Sequence, residues 1–256
     1  MGYQNIQKLP KKNDFPETAD IETSSEDYAM RFSGDIGNYF LSVQTNLTLG
    51  LLNNPRIKTI LDIGGGHAQL AVPLVKNGYE VTVVGSDESC RTRLDRFLEF
   101  NQFEFKVCDI LNLPFENNSF DAVLAFRLLP HVSRWKSLVE EMCRVSNKII
   151  ILDYPDIRSF NILYKFMFRI KKILEGNTRP FNLFSRKQIG KEIKRYGFSR
   201  IVYKSEFFIP MVTHRFLKSV VFAQTSEYLF RMIGVTRLFG SPIILRAEKL
   251  TPSNFP

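Results

Sequence analysis

The run Ile60-Leu61-Asp62-Ile63-Gly64-Gly65-Gly66-His67 carries an apolar strand into three consecutive glycines, and a helical pattern follows over about residues 67–77. Glycine accepts sharp turns and lets the backbone come close to a ligand. Dinucleotide-binding domains use the same strand–turn–helix to set a pyrophosphate on a helix N-terminus. Their fingerprint fails here. With Gly64 and Gly66 in the first two places, the third glycine should stand at position 69, which is Gln69. Asp62 also precedes the glycines, where its carboxylate could pair with a cation. Without a ligand, the same residues would still make a tight strand-to-helix turn.

Strands and helices alternate outward from this turn. Lys58–Ile63, Glu80–Val84, Glu104–Cys108, Phe120–Phe126 and Lys148–Asp153 read as strands, with helices over about 67–77, 89–100 and 133–145. That rhythm predicts a parallel sheet covered by helices on both faces. Runs such as Ile149-Ile150-Ile151-Leu152 suit strands buried on both sides. Ahead of the sheet, Ile36, Phe40, Val43, Leu47 and Leu51 recur at helical steps. After Asp153 come a helical pattern within 155–184, a short helix over about 185–196, a strand at Arg200–Phe208, a helical stretch at 211–233 and a last strand at Pro242–Glu248. The expected fold is α/β: a Rossmann-like doubly wound sheet, mostly parallel with an antiparallel last strand, plus helical cap insertions. Residues 1–35 are expected as a mobile arm, 36–154 as the cofactor-binding core, and 155–256 as the rest of the same domain, with caps at 155–184 and 209–240.

Composition narrows the function. Hydrophobic residues make up 44% and charged residues 24%, which suits a chain with a real core. No targeting signal is read at the N-terminus, because no apolar run follows Lys8, Lys11 and Lys12. No stretch reaches the ~18 apolar residues of a membrane-spanning helix. Cys90, Cys108 and Cys143 are expected as free thiols in a reducing cytoplasm. With three histidines and no ligand spacing, no metal site is expected. The net charge of +9 is uneven. Residues 1–35 hold four Lys/Arg and seven Asp/Glu, a net of −3; residues 156–220 hold fifteen and four, a net of +11. That basic region points to an anionic partner.

Asp62-Ile63-Gly64-Gly65-Gly66 resembles the first motif of the class I S-adenosylmethionine-dependent methyltransferases. Cys108-Asp109-Ile110-Leu111-Asn112-Leu113-Pro114-Phe115, with Ser119-Phe120-Asp121-Ala122-Val123, is similar to the ubiquinone/menaquinone-type (methyltransferase type 11) subgroup. Leu128-Leu129-Pro130-His131-Val132 resembles its next motif. The likeness spans about residues 56–154 and implies S-adenosyl-L-methionine as the cofactor. It implies that Asp62, Ile63, Gly64, Gly65 and Gly66 contact the methionine end. Asp109 and Ile110 would hold adenine, and Phe126 and Arg127 would line the cofactor and acceptor pocket. The family usually places an acid at the end of the second strand for the ribose hydroxyls; here that place is Gly85. Ser86 and Asp87, which follow, are candidates for that task. Asp87 has a second reading as the cap of the next helix.

His131 is a candidate general base, set against a plain role in closing a turn. Methyl transfer from a sulfonium often needs only alignment and desolvation, so a base is not required. Asp121 is expected to be structural, and His214 to serve packing or an anionic contact. The segments 155–184 and 209–240 mix aromatics with Lys165, Arg169, Lys171, Lys172, Arg215 and Lys218. Basic helices with apolar faces fit a small-molecule or lipid-linked anionic acceptor, and peripheral contact with an anionic membrane. Nucleic acid is not expected, since no RNA-binding module or recognition helix is evident. The alternative function is a catalytically degenerate, methyltransferase-like scaffold that binds a protein partner, which Gly85 favours and the intact glycine loop disfavours.

Overall fold

A computed structural model describes residues 15–160 and 182–250 of the chain. Its elements in order are α1 (Ala19–Thr23), α2 (Glu26–Met30), α3 (Gly34–Leu52), β1 (Thr59–Ile63), α4 (Ala71–Lys76), β2 (Glu80–Gly85), α5 (Leu94–Phe97), β3 (Glu104–Val107) and β4 (Phe120–Ala125). Then follow α6 (Trp135–Val145), β5 (Ser146–Tyr154), α7 (Arg186–Arg195), β6 (Phe198–Phe207), α8 (Met211–Leu217), α9 (Val220–Met232), α10 (Val235–Phe239) and β7 (Ser241–Lys249). The strands form one sheet in the order β3-β2-β1-β4-β5-β7-β6. β1 to β5 pair in parallel, and β7 runs antiparallel to both β5 and β6. This is the Rossmann-like sheet with an antiparallel last strand that the alternation predicts. Strand order reverses at β1, which lies between β2 and β4, so ligands belong outside the carboxyl ends of these strands.

Alternate residues of each strand enter different cores, as the two-residue period of a strand requires. Leu61, Ile63, Val123, Ala125, Ile150 and Leu152 pack with Leu138, Met142, Ile189 and Ile193 of α6 and α7. Ile60, Leu124, Phe126 and Ile151 pack on the other face with Leu52 and Leu74 of α3 and α4. Asp121 ties three strands together where they begin: its carboxylate accepts from the N–H groups of Lys58 and Thr59 and from Lys148. The Leu113-Pro114-Phe115 loop is clamped to α6. Glu141 accepts from Leu113 N–H at 2.7 Å, and Arg144 donates to the Leu113 and Phe115 carbonyls.

Several elements are shorter than their patterns suggest. The helix expected from residue 67 starts at Ala71, because the glycine turn continues as a 3₁₀ turn, Gly65–His67, closed by Ala68 at φ +61°. The stretch 89–100 yields a 3₁₀ turn, Glu88–Arg91, and then α5. The stretch 211–233 divides at Lys218, whose φ of +51° ends α8. Residues 19–30, inside the stretch expected to be mobile, form α1 and α2 against the carboxyl ends of the strands. The expected cap at 155–184 falls mostly on residues 161–181, outside the described residues.

One buried carboxylate joins α9 to the sheet. Glu227 accepts from the N–H groups of Phe208 and Ile209 at 2.8 Å each and meets His214 Nε2 at 3.1 Å. His214, expected to serve packing or an anionic contact, lies buried among Phe40, Phe207 and Phe222 against this carboxylate. Glu227→Ala would orphan two part-buried donors, so urea unfolding should show a loss of about 2–5 kcal/mol. Glu227→Gln, which keeps one acceptor oxygen, should lose less.

Candidate functional site

The glycine loop is built around Asp62. Gly64 adopts φ +71°, a conformation few side chains accept, and its N–H donates to the Val84 carbonyl at 2.8 Å. A Cβ on Gly65 would lie 2.1 Å from Asp62 Oδ2. Asp62 is fully buried at the end of β1, and neither of its carboxylate oxygens has a hydrogen-bond partner. Burial pushes its carboxyl up to about 7. A carboxylate in this state favours a cation brought from outside, which would replace the solvation it has lost. His67 is its opposite: burial first, then nearby Arg127, pulls it down to about 3, so it is a neutral ring, with Nδ1 accepting from Gln69 N–H at 3.1 Å.

The arm lies directly on this loop. Asp20 of α1 is fully buried; its Oδ2 accepts from Ser86 N–H and its Oδ1 from Ser86 Oγ, both at 2.6 Å. Cys90 Sγ sits 3.4 Å from Oδ2. A Cβ on Gly66 would strike Ser24 Oγ at 2.4 Å. Glu17 accepts from Arg134 N–H at 3.0 Å and from Ser133 Oγ, and Glu26 pairs with Arg93 and Arg96. A cleft of about 700 Å³ lies beside the loop, lined by Met30, Phe32, Leu41, His67, Gln69 and Val72.

The remaining candidates spread along the carboxyl ends of the neighbouring strands. Ser86 is buried under Asp20. Asp87 Oδ1 accepts from Ser89 N–H at 2.9 Å and caps the 3₁₀ turn, its second reading. Asp109 and Ile110 follow β3, tied to β2 by the Cys108 N–H on the Gly85 carbonyl at 3.0 Å. Asp109 Oδ1 accepts from Leu111 N–H, and Ile110 is buried. Ile63 is a core residue beside them. The three cysteines are unpaired and buried. Burial pushes Cys90 and Cys143 up to about 12 and Cys108 to about 11, so all three stay protonated.

Across β1, the end of β4 departs from expectation. Phe126, expected to line a pocket, is fully buried in the core beneath α3 and α4, because the strand alternation sends it to that face. Arg127 is turned the other way at φ +59° and is buried too. Its N–H donates to Asp153 Oδ1 at 2.5 Å, its guanidinium donates to Gln44 Oε1 of α3, and it stacks 3.8 Å from the Phe32 ring centroid. Glu206 of β6 is buried nearby, with Oε1 unpartnered. Burial lifts Asp153 to about 6 and Glu206 to about 8, against the pull of Arg127. Such carboxyls can hold or take a proton near neutrality. Asp20, Gln44, Asp153 and Glu206 escape sequence reasoning. Only Asp153, at a strand's carboxyl end, carries a sequence signal, since function collects at such ends. His131 closes the 3₁₀ turn Leu129–His131, its N–H donating to the Leu128 carbonyl at 2.9 Å.

The chain resembles known proteins in both sequence and fold. Residues 61–148 match the methyltransferase domain family. The chain is 28% identical, over 57% of its length and 70% of the relative's, to the ubiquinone/menaquinone biosynthesis C-methyltransferase of Rickettsia bellii. Magnesium protoporphyrin IX methyltransferase of Synechocystis, solved with bound S-adenosylhomocysteine, superposes with a TM-score of 0.57 at 15% identity. The match spans 90% of this chain and all of that one. A [4+2]-cyclase superposes at 0.55 with 17% identity, over 80% of this chain and 79% of its own. A likeness of fold alone therefore leaves the reaction open. The site fits S-adenosyl-L-methionine: the buried, unpartnered Asp62 suits the ammonium of its methionine end, and the glycine turn carries no side chain of its own beside it. Over residues 61–148 the chain is thus similar to the S-adenosylmethionine-dependent methyltransferases.

Proposed function

We propose that this methyltransferase acts on a small or lipid-like anionic acceptor, which it meets at an anionic membrane surface. The cofactor, when bound, supplies a sulfonium-linked methyl group. In this reading Asp62 fixes the methionine end by its charge, the glycine loop lets the ligand approach the backbone, and Asp109 with Ile110 holds adenine. Arg127, with Asp153 and Glu206 behind it, orients an anionic acceptor at the end of β4, and the arm excludes water. His131 keeps its turn-closing role, since alignment and desolvation suffice for the transfer. Residues 209–240 serve as the acceptor cap.

The observation that carries the membrane part of the reading is the outward face of α9. Val221, Thr225, Tyr228, Leu229 and Met232 follow helical spacing and are exposed, while Ala223 and Glu227 are buried on the other side. Phe216, 85% exposed, Ile233 and Leu238 extend the apolar surface across α8 and α10. Lys218, Arg231 and Arg237 stand exposed among them. Apolar residues turned outward and rimmed by cations fit a lipid headgroup layer. No helix of the described residues is long and apolar enough to cross a membrane. Lys165, Arg169, Lys171 and Lys172, which contribute to the basic excess, lie outside the described residues.

Two experiments test the parts separately. Calorimetry with S-adenosylhomocysteine should give a micromolar dissociation constant, about 8 kcal/mol. Below pH 7 Asp62 is protonated and must lose that proton to pair with an ammonium. Affinity should therefore rise with pH up to about 7, by as much as tenfold per pH unit, and then level off. Asp62→Asn should weaken binding and flatten that dependence, and Gly66→Val should abolish binding. No binding at any pH would leave the scaffold reading. Vesicles with anionic lipid should bind the protein at low salt, less at high salt, and less again for Lys218→Glu with Arg237→Glu. Indifference to such vesicles at every salt concentration would leave a soluble acceptor.

A further inference from the structure

An acid that holds a nucleotide's ribose stands about 20 residues past the glycine turn in dinucleotide-binding sheets. In this chain that distance ends at Val84 and Gly85, and no acid stands there. The structure also explains why residue 85 is small: a Cβ there would lie 2.8 Å from Cys90 Cβ and 3.2 Å from the Phe105 ring. The place above it is nonetheless filled by a carboxylate. Asp20 Oδ2 lies 3.3 Å from that same Cβ position, about where the carboxylate of a longer acid rooted at residue 85 would end. Asp87, the nearer acid in sequence, spends an oxygen on capping Ser89.

Resting on the methyltransferase reading, we propose that Asp20 of the arm is the ribose-binding carboxylate, supplied from α1 in place of the missing residue of β2. In the structure Ser86 holds this carboxylate against the loop, with its N–H on one oxygen and its hydroxyl on the other. A carboxylate has about four acceptor sites, so this leaves acceptors for two vicinal hydroxyls, with the weak thiol donor of Cys90 giving way. The arm rests directly on Gly64 and Ser86. With a nucleoside between arm and loop, the same carboxylate faces the sugar from the arm side. Binding the ribose thereby draws the arm over the cofactor.

The test is calorimetry with S-adenosylhomocysteine and its 2′-deoxy analogue on the wild-type protein, Asp20→Ala, Asp20→Asn and Asp87→Asn, with thermal melting to check that each variant is folded. Asp20→Ala should weaken S-adenosylhomocysteine binding about tenfold or more, the loss of a charge-assisted hydrogen-bond pair. Asp20→Asn should fall between, and Asp87→Asn should change affinity less than about twofold. On the deoxy analogue the penalty of Asp20→Ala should largely vanish, because coupled partners are not lost twice. Tighter or equal binding by Asp20→Ala would overturn the proposal and make the arm a mere competitor for the site. An equal penalty on both ligands would overturn it too, leaving Asp20 only to hold the arm. A wild-type protein that binds neither ligand would refute the methyltransferase reading itself.

Discussion

Asp62 stands at the end of a central parallel strand, out of water and with no protein donor on either oxygen. An ionised carboxylate in that position is costly, and the neighbouring glycines offer it no relief, because their side of the turn is bare. The fold tolerates it partly by letting it keep a proton near neutrality. The rest of the carboxyl edge follows from the same constraint. The glycines must be small because Asp62's own carboxylate, Cys90 and Ser24 fill the space a Cβ would take, and whatever reaches Asp62 must be cationic. The surroundings must otherwise keep water out, which is what α1 and α2 do. A protein without a ligand for this site would gain stability by replacing the aspartate with an apolar residue.

The same logic recurs across β1. Arg127, Asp153, Glu206 and Gln44 form a second buried polar set, with Arg127 placed by an unfavourable backbone angle and pressed under Phe32. Strain and incomplete pairing concentrate where strands end, while the cores on either face of the sheet are apolar and fully packed. Stability thus resides in the middle of the sheet and reactivity at its rim.

Much of the sheet can be read from residues alone. Apolar runs bounded by turns give every strand to within a residue or two, and the glycine run marks the edge where ligands lie. What escapes is long-range. The five-residue helices of the arm are too short to show a period, and the bond from Asp20 to Ser86 joins residues 66 apart. Periodicity tells that α9 is amphipathic but not which face meets the protein; burial of Glu227 settles that, because two backbone donors need it. Phe126 was assigned to a pocket by its place after β4, yet the strand's alternation turns it into the core. Lys218 breaks a helical stretch by adopting a left-handed conformation that nothing in its neighbours requires.

The arm touches both polar sets at once: Asp20 reaches Ser86 beside the glycine loop, and Phe32 lies on Arg127 across β1. These contacts are twelve residues apart on one short segment whose helices pack on each other, so they cannot part independently. If the proposed roles hold, donor and acceptor share a single door. On the proposed reading loading is ordered rather than random, product departure waits on the same motion as substrate arrival, and the hinge of the arm sets the pace of turnover.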